Sequence, residues 1–347
     1  MKIVLISDIH FGIKKSDKIF LENQLNFFKN ELIPYMQNNN LTTMAILGDL
    51  FDTRNSLNSY MKSEVYKLFE YINDQKIKVY IFPGNHDIYF RNTINVHSLD
   101  FLKKFENVTV IEDIELRTIE NRQILFVPWR VDYNDFKRRV ANKNFHCDIC
   151  LGHFDIIGFP YNNHQICEDG IETNILLNNY SLTFSGHFHK RNVYKLGNEE
   201  VIMIGSPFQQ NRGDKNDERG FCVLNLEDLK YEFINSKETI KFIELHYPEE
   251  IQEELIKGNV VDVKVNYDGN KIDEKFQDYI KLIEKFNPAY PPNIFINNTL
   301  FDNVDDNNYE IKSLSELINE FIENLKIENK REIKEIIADL YTRVKGE

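Results

Sequence analysis

The chain has 347 residues, of which 42% are hydrophobic and 28% charged, and its formal net charge is −13. This composition excludes an intrinsically disordered protein. No stretch approaches the ~18 consecutive apolar residues of a membrane-spanning helix, which excludes that class as well. The length predicts a main domain with one or two smaller parts. The N-terminus becomes acidic too early for a signal peptide, so we predict a first strand there and a cytoplasmic protein.

The negative charge is concentrated in the last third of the chain. Residues 244–347 contain 23 acidic and 13 basic residues, a net charge of −10, which leaves −3 for residues 1–243. Two divalent cations bound in the N-terminal part would make that part slightly positive, because bound ions are often the largest local charges in a site. The overall acidity therefore does not exclude a phosphodiester substrate.

Residues 1–240 alternate between apolar runs that predict buried strands and amphipathic stretches that predict helices. Five of the runs lead into polar motifs, and they cover residues 3–6, 44–47, 79–82, 149–151 and 182–184. Helices are predicted over residues 23–36, 61–72 and 96–105, and further strands over residues 108–111, 123–127, 201–204 and 220–225. The late strands are too many for one doubly wound sheet, so the predicted fold class is a layered α/β (α+β) sandwich.

The rest of the chain predicts a small α/β appendage, a linker and a helical tail. The appendage covers residues 241–300, and its predicted elements are strands at 242–246, 260–267 and 294–296 and a helix at 273–287. Residues 301–310 are polar and low in complexity, as in a linker. Residues 311–347 predict two amphipathic helices. We interpret them as a docking element for a partner protein, or alternatively as helices that fold back on the main body.

Five polar motifs follow the five apolar runs. They are Asp8-Ile9-His10, Gly48-Asp49-Leu50-Phe51-Asp52, Gly84-Asn85-His86-Asp87, Gly152-His153 and Gly186-His187-Phe188-His189. Each motif alone is weakly specific, but their joint occurrence at strand ends indicates one polar site at one edge of a sheet. Carboxylates, imidazoles and one amide form the ligand set of a hydrolytic centre with two divalent ions. This set suits manganese, iron or zinc better than calcium.

Residues outside the motifs receive structural or peripheral interpretations. Cys147 and Cys150 form a C-x-x-C, but no second C-x-x-C completes a zinc site. The four cysteines, which include Cys167 and Cys222, are interpreted as packing thiols in a reducing compartment. Four histidines are expected to have ordinary structural or surface roles: His97, His146, His164 and His246. Candidate phosphate contacts, or else a solvated face, are Lys14, Lys15, Lys18, Arg91, Arg138, Arg139, Lys190 and Arg191.

The ordered motifs resemble the calcineurin-like metallophosphoesterase superfamily over residues 1–225. The resemblance implies a β-sandwich flanked by helices, with two metal ions that share one bridging carboxylate. The implied ligands of the first ion are Asp8, His10, Asp49 and His189. Those of the second ion are Asp49, Asn85, His153 and His187, with Asp49 as the bridge. His86 is implied as a catalytic residue that contacts phosphate and protonates the leaving oxygen. Asp52 is implied as the residue that orients His86, or alternatively it is a helix N-cap.

Further segments are similar to those of SbcD-like nucleases, the meiotic recombination group of this superfamily. They are the opening SDIHFG at 7–12, VPW at 127–129, SGHFHK at 185–190, IGSPF at 204–208 and DERGF at 217–221. The resemblance implies a manganese-dependent DNA nuclease, with magnesium, iron or zinc as alternative metals. The implied activities are a 3′-to-5′ exonuclease on duplex DNA and an endonuclease on single strands or hairpins, in DNA repair, recombination and replication.

The same resemblance assigns roles to the parts of the chain. Residues 1–240 are the implied nuclease domain, and residues 241–300 a capping domain that presents DNA. Residues 311–347, beyond the linker, resemble the segment that binds an SbcC-like coiled-coil ATPase. A homodimer is implied through the helices at 61–72 and 96–105, whose apolar residues are alternatively plain core. The length and tail are most similar to the tailed-phage branch, which implies the host cytoplasm as location.

Two other interpretations stay open. The first is another metallophosphoesterase, either a small-molecule phosphodiesterase or a protein phosphatase. Protein phosphatases have Asp-Arg-Gly after the second motif and Gly-Asn-His-Glu as the third, whereas here residues 52–54 read Asp-Thr-Arg and the third motif ends in Asp87. The second is a non-enzymatic scaffold that kept the fold, and the presence of every implied ligand and of His86 argues against it.

Overall fold

The computed structural model describes residues 1–90, 93–130, 132–140, 147–160, 165–267 and 274–298. One compact unit comprises Met1–Val265 and Asp273–Phe295, and a second comprises Asn266–Ile272 and Ile296–Glu347. The second unit lies almost wholly outside the described residues. The predicted linker and tail helices lie outside them too, and the predicted domain boundary at residue 240 stays a prediction.

The described elements alternate between strands and helices. The strands are β1 Lys2–Ile6, β2 Thr43–Leu47, β3 Lys78–Phe82, β4 Val108–Val110, β5 Glu115–Ile119, β6 Arg122–Val127, β7 Ile149–His153, β8 Leu182–Gly186, β9 Asn192–Leu196, β10 Glu199–Met203, β11 Gly220–Asn225, β12 Tyr231–Asn235, β13 Phe242–His246, β14 Val260–Tyr267 and β15 Asn293–Asn298. The helices are α1 Ile13–Ser16, α2 Lys18–Asn26, α3 Ile33–Asn38, α4 Ser59–Asp74, α5 Tyr133–Val140, α6 Thr173–Leu177, α7 Glu253–Ile256 and α8 Glu274–Lys285, with a π-helical turn at Phe27–Leu32 and 3-10 turns at Asp100–Lys104 and Arg212–Asp214.

Two six-stranded sheets position the polar motifs. Their strand orders are β12-β11-β1-β2-β3-β4 and β5-β6-β7-β8-β10-β9. Strands β1 to β4 are parallel, as are β6, β7, β8 and β10. Parallel strands bring their carboxyl ends to the same edge of a sheet, where ligands of α/β proteins bind. The five motifs follow β1, β2, β3, β7 and β8, so this architecture confirms the predicted layered α/β sandwich.

The inner core lies between the two sheets. Ile3 and Leu5 of β1 pack there against the second sheet, including Phe184 of β8. The alternate residues of β1, Val4 and Ile6, pack on the other face with side chains of α2 and α4. Because β1 is covered on both faces, its sequence is a continuous apolar run rather than an alternating one. The outer face of the second sheet is covered by α6 and by the loop that follows β7.

Side-chain caps fix where the two main helices of the first layer begin. The Asp17 carboxylate accepts hydrogen bonds from the amides of Ile19 and Phe20 at the start of α2. The Asn58 side chain accepts from the Met61 amide at the start of α4. Such caps satisfy amides that have no partner within the helix. The predicted helices at 23–36 and 61–72 are thereby confirmed, the first as α2, a π-helical turn and α3 in sequence.

The predicted helix over residues 96–105 is wrong, since only Asp100–Lys104 forms a short 3-10 helix. The preceding main chain is engaged in a hairpin. The Tyr89 amide donates to the Val96 carbonyl at 2.9 Å, and the Ser98 amide donates to the Asp87 carbonyl at 2.8 Å. These bonds, with the β-bridge of His97 to Ile88, engage the amide of Ser98 and the carbonyl of Val96 outside a helix, so helical hydrogen bonding does not extend over residues 96–98. Strands β5, β9 and β12 were absent from the sequence-based prediction.

The apolar face of α4 is part of the chain's own core. Its five apolar residues are all buried: Met61, Val65, Leu68, Phe69 and Ile72. The plain-core interpretation of these residues is therefore right, and the homodimer stays a prediction. In the part of the chain that the structure describes, no helix combines the length and apolar character needed to cross a membrane.

A three-stranded sheet forms the predicted appendage. Its order is β13-β14-β15, with β13 and β14 parallel. Val261 and Val263 of β14 pack with Phe276 and Ile283 of α8. The Arg212 guanidinium, which belongs to the loop after β10, donates to the Asp262 carboxylate at 2.6 and 3.0 Å. This charge-assisted pair ties β14 to the loop that follows β10.

We expect Phe184→Ala to destabilise the protein by about 3–5 kcal/mol, because it removes a fully buried ring from between the sheets and leaves a cavity. Urea denaturation followed by circular dichroism measures the change. Leu196→Ala on the edge strand β9 is the control, since that side chain is 55% exposed and should change stability by no more than about 0.5 kcal/mol. Equal loss in both variants would contradict the assigned inner core.

Candidate metal centre

The loops that carry the motifs have unusual backbone conformations. Asp8, His10, Asp49 and His187 have φ angles of 54°, 52°, 51° and 91°, in the left-handed region. Residues with side chains adopt this region at a cost on the order of 1–3 kcal/mol each, and such strain clusters at functional sites. The conformation turns each of these four side chains toward a common point at the strand ends.

Two buried glutamines hold the strained loop after β1. Gln24 Nε2, from α2, donates to the carbonyls of Ile9 and His10 at 2.6 and 3.0 Å. Gln210 Nε2 donates to the Asp8 carbonyl at 2.8 Å. Both glutamine side chains are buried. Since these bonds satisfy carbonyls that the regular sheet leaves unpaired, they stabilise the loop in the conformation that presents Asp8 and His10.

The first group of converging side chains contains Asp8, His10 and His189. His10 Nε2 lies 3.0 Å from His189 Nε2 and 4.0 Å from Asp8 Oδ1. The Asp8 carboxylate also accepts the main-chain amide of His187 at 3.0 and 3.2 Å. Burial lowers the pKa of both His10 and His189. Both rings are therefore neutral near pH 7, which is the form of histidine that ligates metals.

The second group contains Asn85, His153 and His187. Asn85 Oδ1 lies 3.0 Å from His153 Nε2 and 2.9 Å from His187 Nδ1. The opposite ring nitrogen of each histidine has its own acceptor. His153 Nδ1 lies 2.7 Å from the Leu47 carbonyl, and His187 Nε2 lies 2.7 Å from Asp155 Oδ1. A carbonyl or carboxylate behind the ring is the usual outer partner of a metal-binding histidine.

These partners decide which ring nitrogen carries the proton. The Leu47 carbonyl and the Asp155 carboxylate only accept, so a ring proton of each histidine faces them. The lone pairs of His153 Nε2, His187 Nδ1 and Asn85 Oδ1 then point at one another within about 3 Å. Such an arrangement is unfavourable unless a positive charge lies among the three atoms. The residues thus fit a divalent cation.

The pKa of His153 also indicates that its surroundings favour positive charge. Burial alone would lower this pKa, but the charge and hydrogen bond of Asp49 outweigh it and raise it to about 9. A proton on His153 therefore supplies the positive charge when no cation is bound. Ligation requires the neutral ring, so a cation takes the place of this proton.

Asp49 lies between the two groups. Its Oδ2 is 3.6 Å from His10 Nε2 and 3.4 Å from His153 Nε2, and its Oδ1 accepts the His86 amide at 2.8 Å. Burial would raise the pKa of Asp49, but His153 and His10 outweigh it and hold the pKa well below its ordinary value. A carboxylate that contacts ligands of both groups occupies the position of a bridge between two ions.

Two motif glycines make room for these side chains. A Cβ atom on Gly84 would collide with the Asp49 carboxylate, and one on Gly48 would collide with the His153 ring. Gly48 also has a φ of 83°, which favours glycine. The glycines of the second and third motifs are therefore required by the close approach of the ligands.

The profile of the calcineurin-like phosphoesterase family matches residues 1–191. The chain belongs to this family. It is also similar to exonuclease subunit 1 of Enterobacteria phage T4, with 27% identity over 323 residues that cover 93% of this chain and 92% of the phage protein. The predicted family is thus confirmed, and the similarity to a phage protein agrees with the predicted branch.

Two solved structures share features of the fold. One is an archaeal phosphodiesterase, with 15% identity, a TM-score of 0.38 and coverage of 68% of this chain and 100% of that one. The other is GAP50, the anchor in the inner membrane complex of Plasmodium, with 16% identity, a TM-score of 0.40 and coverage of 69% and 90%. Both TM-scores lie below 0.5, so neither structure bears on the function of this phosphoesterase.

His86 lies beside the first group, with its ring centroid 4.8 Å from that of His10. His86 Nδ1 is 2.6 Å from the main-chain carbonyl of Asp52, which accepts its proton and leaves Nε2 for a substrate. Asp52 therefore contacts His86 through its main chain. Its carboxylate Oδ1 instead lies 3.6 Å from His10 Nδ1, a buried atom without a hydrogen bond. The alternative of Asp52 as the N-cap of the following helix is wrong, because Asn58 caps α4.

Asp87 ties the second and third motifs together. Its carboxylate accepts the amides of Leu50, Phe51 and Gly84 at 3.2, 3.1 and 3.0 Å. Burial and the nearby charge of Asp49 raise its pKa to about 6 despite these hydrogen bonds. Asp87 thus fixes the loops that carry Asp49 and Asn85. The sequence shows that Asp87 belongs to the third motif, but it does not show that Asp87 anchors the loops of the second and third motifs.

Most residues outside the motifs have structural partners. The CXXC residue Cys150 packs in the outer core, and burial raises its thiol pKa far above the range of redox or metal-binding thiols.

His97, Asp100 and Glu112 form another group of possible ligands. Their carboxylates are already paired with the Lys103 ammonium at 2.7 and 2.8 Å, so we assign no metal there.

The predicted phosphate contacts have varied surroundings. Several of these basic residues form ion pairs: Lys18 with Glu22, Arg139 with Asp113, Lys190 with Asp217 and Arg191 with Glu218. Lys14 and Lys15 belong to a left-handed turn close after His10, with φ angles of 55° and 60°. Arg138 is exposed on α5, and His246 lies 3.4 Å from Glu244. Arg91, His146 and His164 lie outside the described residues.

We expect Asp155→Asn to weaken manganese binding about 10- to 100-fold, because the carboxylate that fixes the His187 ring and its tautomer is lost. Titration calorimetry of the metal-free protein with Mn²⁺ measures the affinity. Asp148→Asn is the matched control, since that carboxylate pairs with Arg122 away from the site. Unchanged affinity in Asp155→Asn would contradict the assigned role of Asp155.

Proposed function

We propose that this phosphoesterase is the nuclease subunit of an SbcC/SbcD-like complex in DNA repair and recombination. The observation that carries the proposal is the buried convergence of carboxylate, imidazole and amide lone pairs with His86 beside them. Such a site suits hydrolysis of a phosphodiester. Further support comes from the phage T4 relative, which is named as a subunit of an exonuclease and matches over 92% of its length. That name implies DNA as substrate and a partner protein.

In this proposal the chain holds two divalent ions, preferably Mn²⁺, with Mg²⁺, Fe²⁺ or Zn²⁺ as alternatives. The first would be held by Asp8, His10, Asp49 and His189, and the second by Asp49, Asn85, His153 and His187. When bound, such ions supply a nucleophile from water at neutral pH and neutralise charge on the phosphate. Asp155 and the Leu47 carbonyl orient the metal-binding histidines, the Asp52 carbonyl orients His86, and Asp87 holds the loops that carry Asp49 and Asn85.

His86 is proposed as the proton donor to the leaving oxygen. The Asp52 carbonyl fixes the proton at Nδ1. A second proton at Nε2 then makes the ring a cation that can contact a phosphate oxygen and donate to the alkoxide that leaves. The ring is only partly buried, so a substrate can reach it. The proposed role of His86 is therefore to protonate the leaving group.

The remaining parts of the proposal concern substrate and assembly. We propose 3′-to-5′ exonuclease activity on duplex DNA and endonuclease activity on single strands or hairpins. Residues 241–300 would help to present DNA, residues 301–310 would act as a linker, and residues 311–347 would bind a coiled-coil ATPase. A homodimer and a location in the cytoplasm, that of the host if a phage encodes the protein, complete the proposal.

We expect His86→Ala to lower the rate of DNA cleavage about 10²- to 10⁴-fold, since it removes a general acid while all proposed ligands remain. A nuclease assay on end-labelled duplex in Mn²⁺ measures the rate, and mass spectrometry of the protein measures bound metal. His246→Ala, on a histidine whose side chain is 55% exposed, is the matched control. An unchanged rate in His86→Ala would remove the proposed acid.

The same assay tests the proposed function itself. Wild-type protein, with or without the ATPase, should cleave the duplex in Mn²⁺. Hydrolysis of bis-para-nitrophenyl phosphate without cleavage of any DNA would instead identify a small-molecule phosphodiesterase.

We expect deletion of residues 309–347 to abolish co-purification with the ATPase and to leave manganese binding unchanged, because all proposed ligands precede residue 190. Calorimetry of the truncated chain measures the metal, and affinity purification with the tagged ATPase measures the complex. Undiminished affinity of the truncated chain for the ATPase would refute the docking role of the tail.

A further inference from the structure

Two adjacent aromatic side chains stand on the surface close to His86. Tyr89 and Phe90 are 47% and 46% exposed, and their ring centroids lie 4.7 Å apart at an angle of 85°. Among the side chains that the structure describes, the other aromatic residues with such exposure are Tyr60 and Tyr194. Those two are distant from each other in the sequence, whereas Tyr89 and Phe90 are adjacent and follow the third motif after Ile88.

The main chain holds this pair firmly. Ile88 is only 2% exposed and forms a β-bridge with His97. The Tyr89 amide donates to the Val96 carbonyl at 2.9 Å, and Asp87 is anchored by three amides of the motif loops. These contacts fix the main chain from Asp87 to Tyr89, from which the exposed rings of Tyr89 and Phe90 project.

The short stretch of chain between His86 and Tyr89 limits the separation of these two residues. Tyr89 follows His86 by three positions in the chain, which limits the distance between their Cα atoms to about 11 Å. Successive nucleotides of one stacked strand are spaced by about 3.4 Å. The main chain that carries Tyr89 thus lies within about three nucleotide spacings of His86.

We propose that Tyr89 and Phe90 form a stacking platform for an unpaired nucleobase close to the cleaved phosphate. Every base has a flat π-face, and aromatic side chains bind such faces with little regard to sequence. Inside a duplex, neighbouring bases cover both faces of each base, whereas a single strand or a frayed end offers the face of an unpaired base. The platform therefore selects single-stranded or unpaired ends. This inference rests on the proposed nuclease function and adds the class of DNA end.

The test uses DNA that lacks one base. Oligonucleotides carry a single abasic site at successive positions near the cleaved phosphate, and kcat/KM in Mn²⁺ is compared with that of the intact strand. For the wild-type protein we expect a loss of about 5- to 150-fold at one of these positions, the range of base–aromatic stacking. The double variant Tyr89→Ala with Phe90→Ala should cleave both strands at the same rate. This ratio within one protein does not respond to a general loss of activity.

Two variants serve as controls. Tyr89→Phe keeps the ring and should keep the abasic penalty. Tyr194→Ala removes a tyrosine of the same 47% exposure from the edge strand β9 and should keep the penalty as well. Loss of the penalty in Tyr194→Ala would overturn the assignment to this pair of rings.

The remaining outcomes distinguish a failure of the stacking platform from a failure of the proposed nuclease function. A wild-type protein that cleaves DNA with no abasic penalty at any position overturns the platform and leaves the nuclease function standing. A wild-type protein that cleaves no DNA overturns both. A double variant that keeps the penalty but loses dimers in analytical ultracentrifugation would show that the rings contact a second copy of the chain, and would also overturn the platform.

Discussion

The repulsion between lone pairs at the strand ends governs the rest of this structure. His153, His187 and Asn85 direct electron pairs at one point because Leu47 and Asp155 hold the ring protons on the far side. Within the protein, a second proton on His153 relieves the repulsion, because Nε2 then donates to Asn85 Oδ1 while Nδ1 keeps the Leu47 carbonyl. Positive charge must come from a proton or from a cation. The fold therefore holds a set of lone pairs that favours a positive charge among them, and a bound divalent cation supplies that charge most directly.

The residues around the site hold the strained loops that bring these lone pairs together. The left-handed backbone at Asp8, His10 and Asp49 would relax in an isolated loop. In the folded chain, buried amides and carboxylates of Gln24, Gln210 and Asp87 satisfy the main chain of these loops. A rigid set of ligands needs such outer support, because a small displacement changes the geometry at the ion. Much of the buried polar content near the sheet edge serves this purpose.

The sequence predicted the ligands and the sheet edge well, because buried parallel strands have a strong apolar signature and the motifs follow them directly. It missed β9, whose residues are mostly exposed, and β12, whose apolar residues are only partly buried, because neither strand has that signature. It misassigned residues 96–105, where helical periodicity competes with hairpin bonds to the strand end. It also missed Asp155, and it could not show that Asp52 contacts His86 through its main-chain carbonyl. Main-chain hydrogen bonds and distant partners leave no regular spacing in a sequence.

The pairing of β1 with β11 has a consequence for synthesis of the protein. Leu5 lies opposite Cys222, so the strand that carries the first motif gains its second neighbour only after some 220 residues have left the ribosome. Gln210, which holds the Asp8 loop, arrives equally late. An unfinished chain or an N-terminal fragment therefore lacks an assembled hydrolytic centre. The site can therefore assemble only after about two-thirds of the chain has been synthesised.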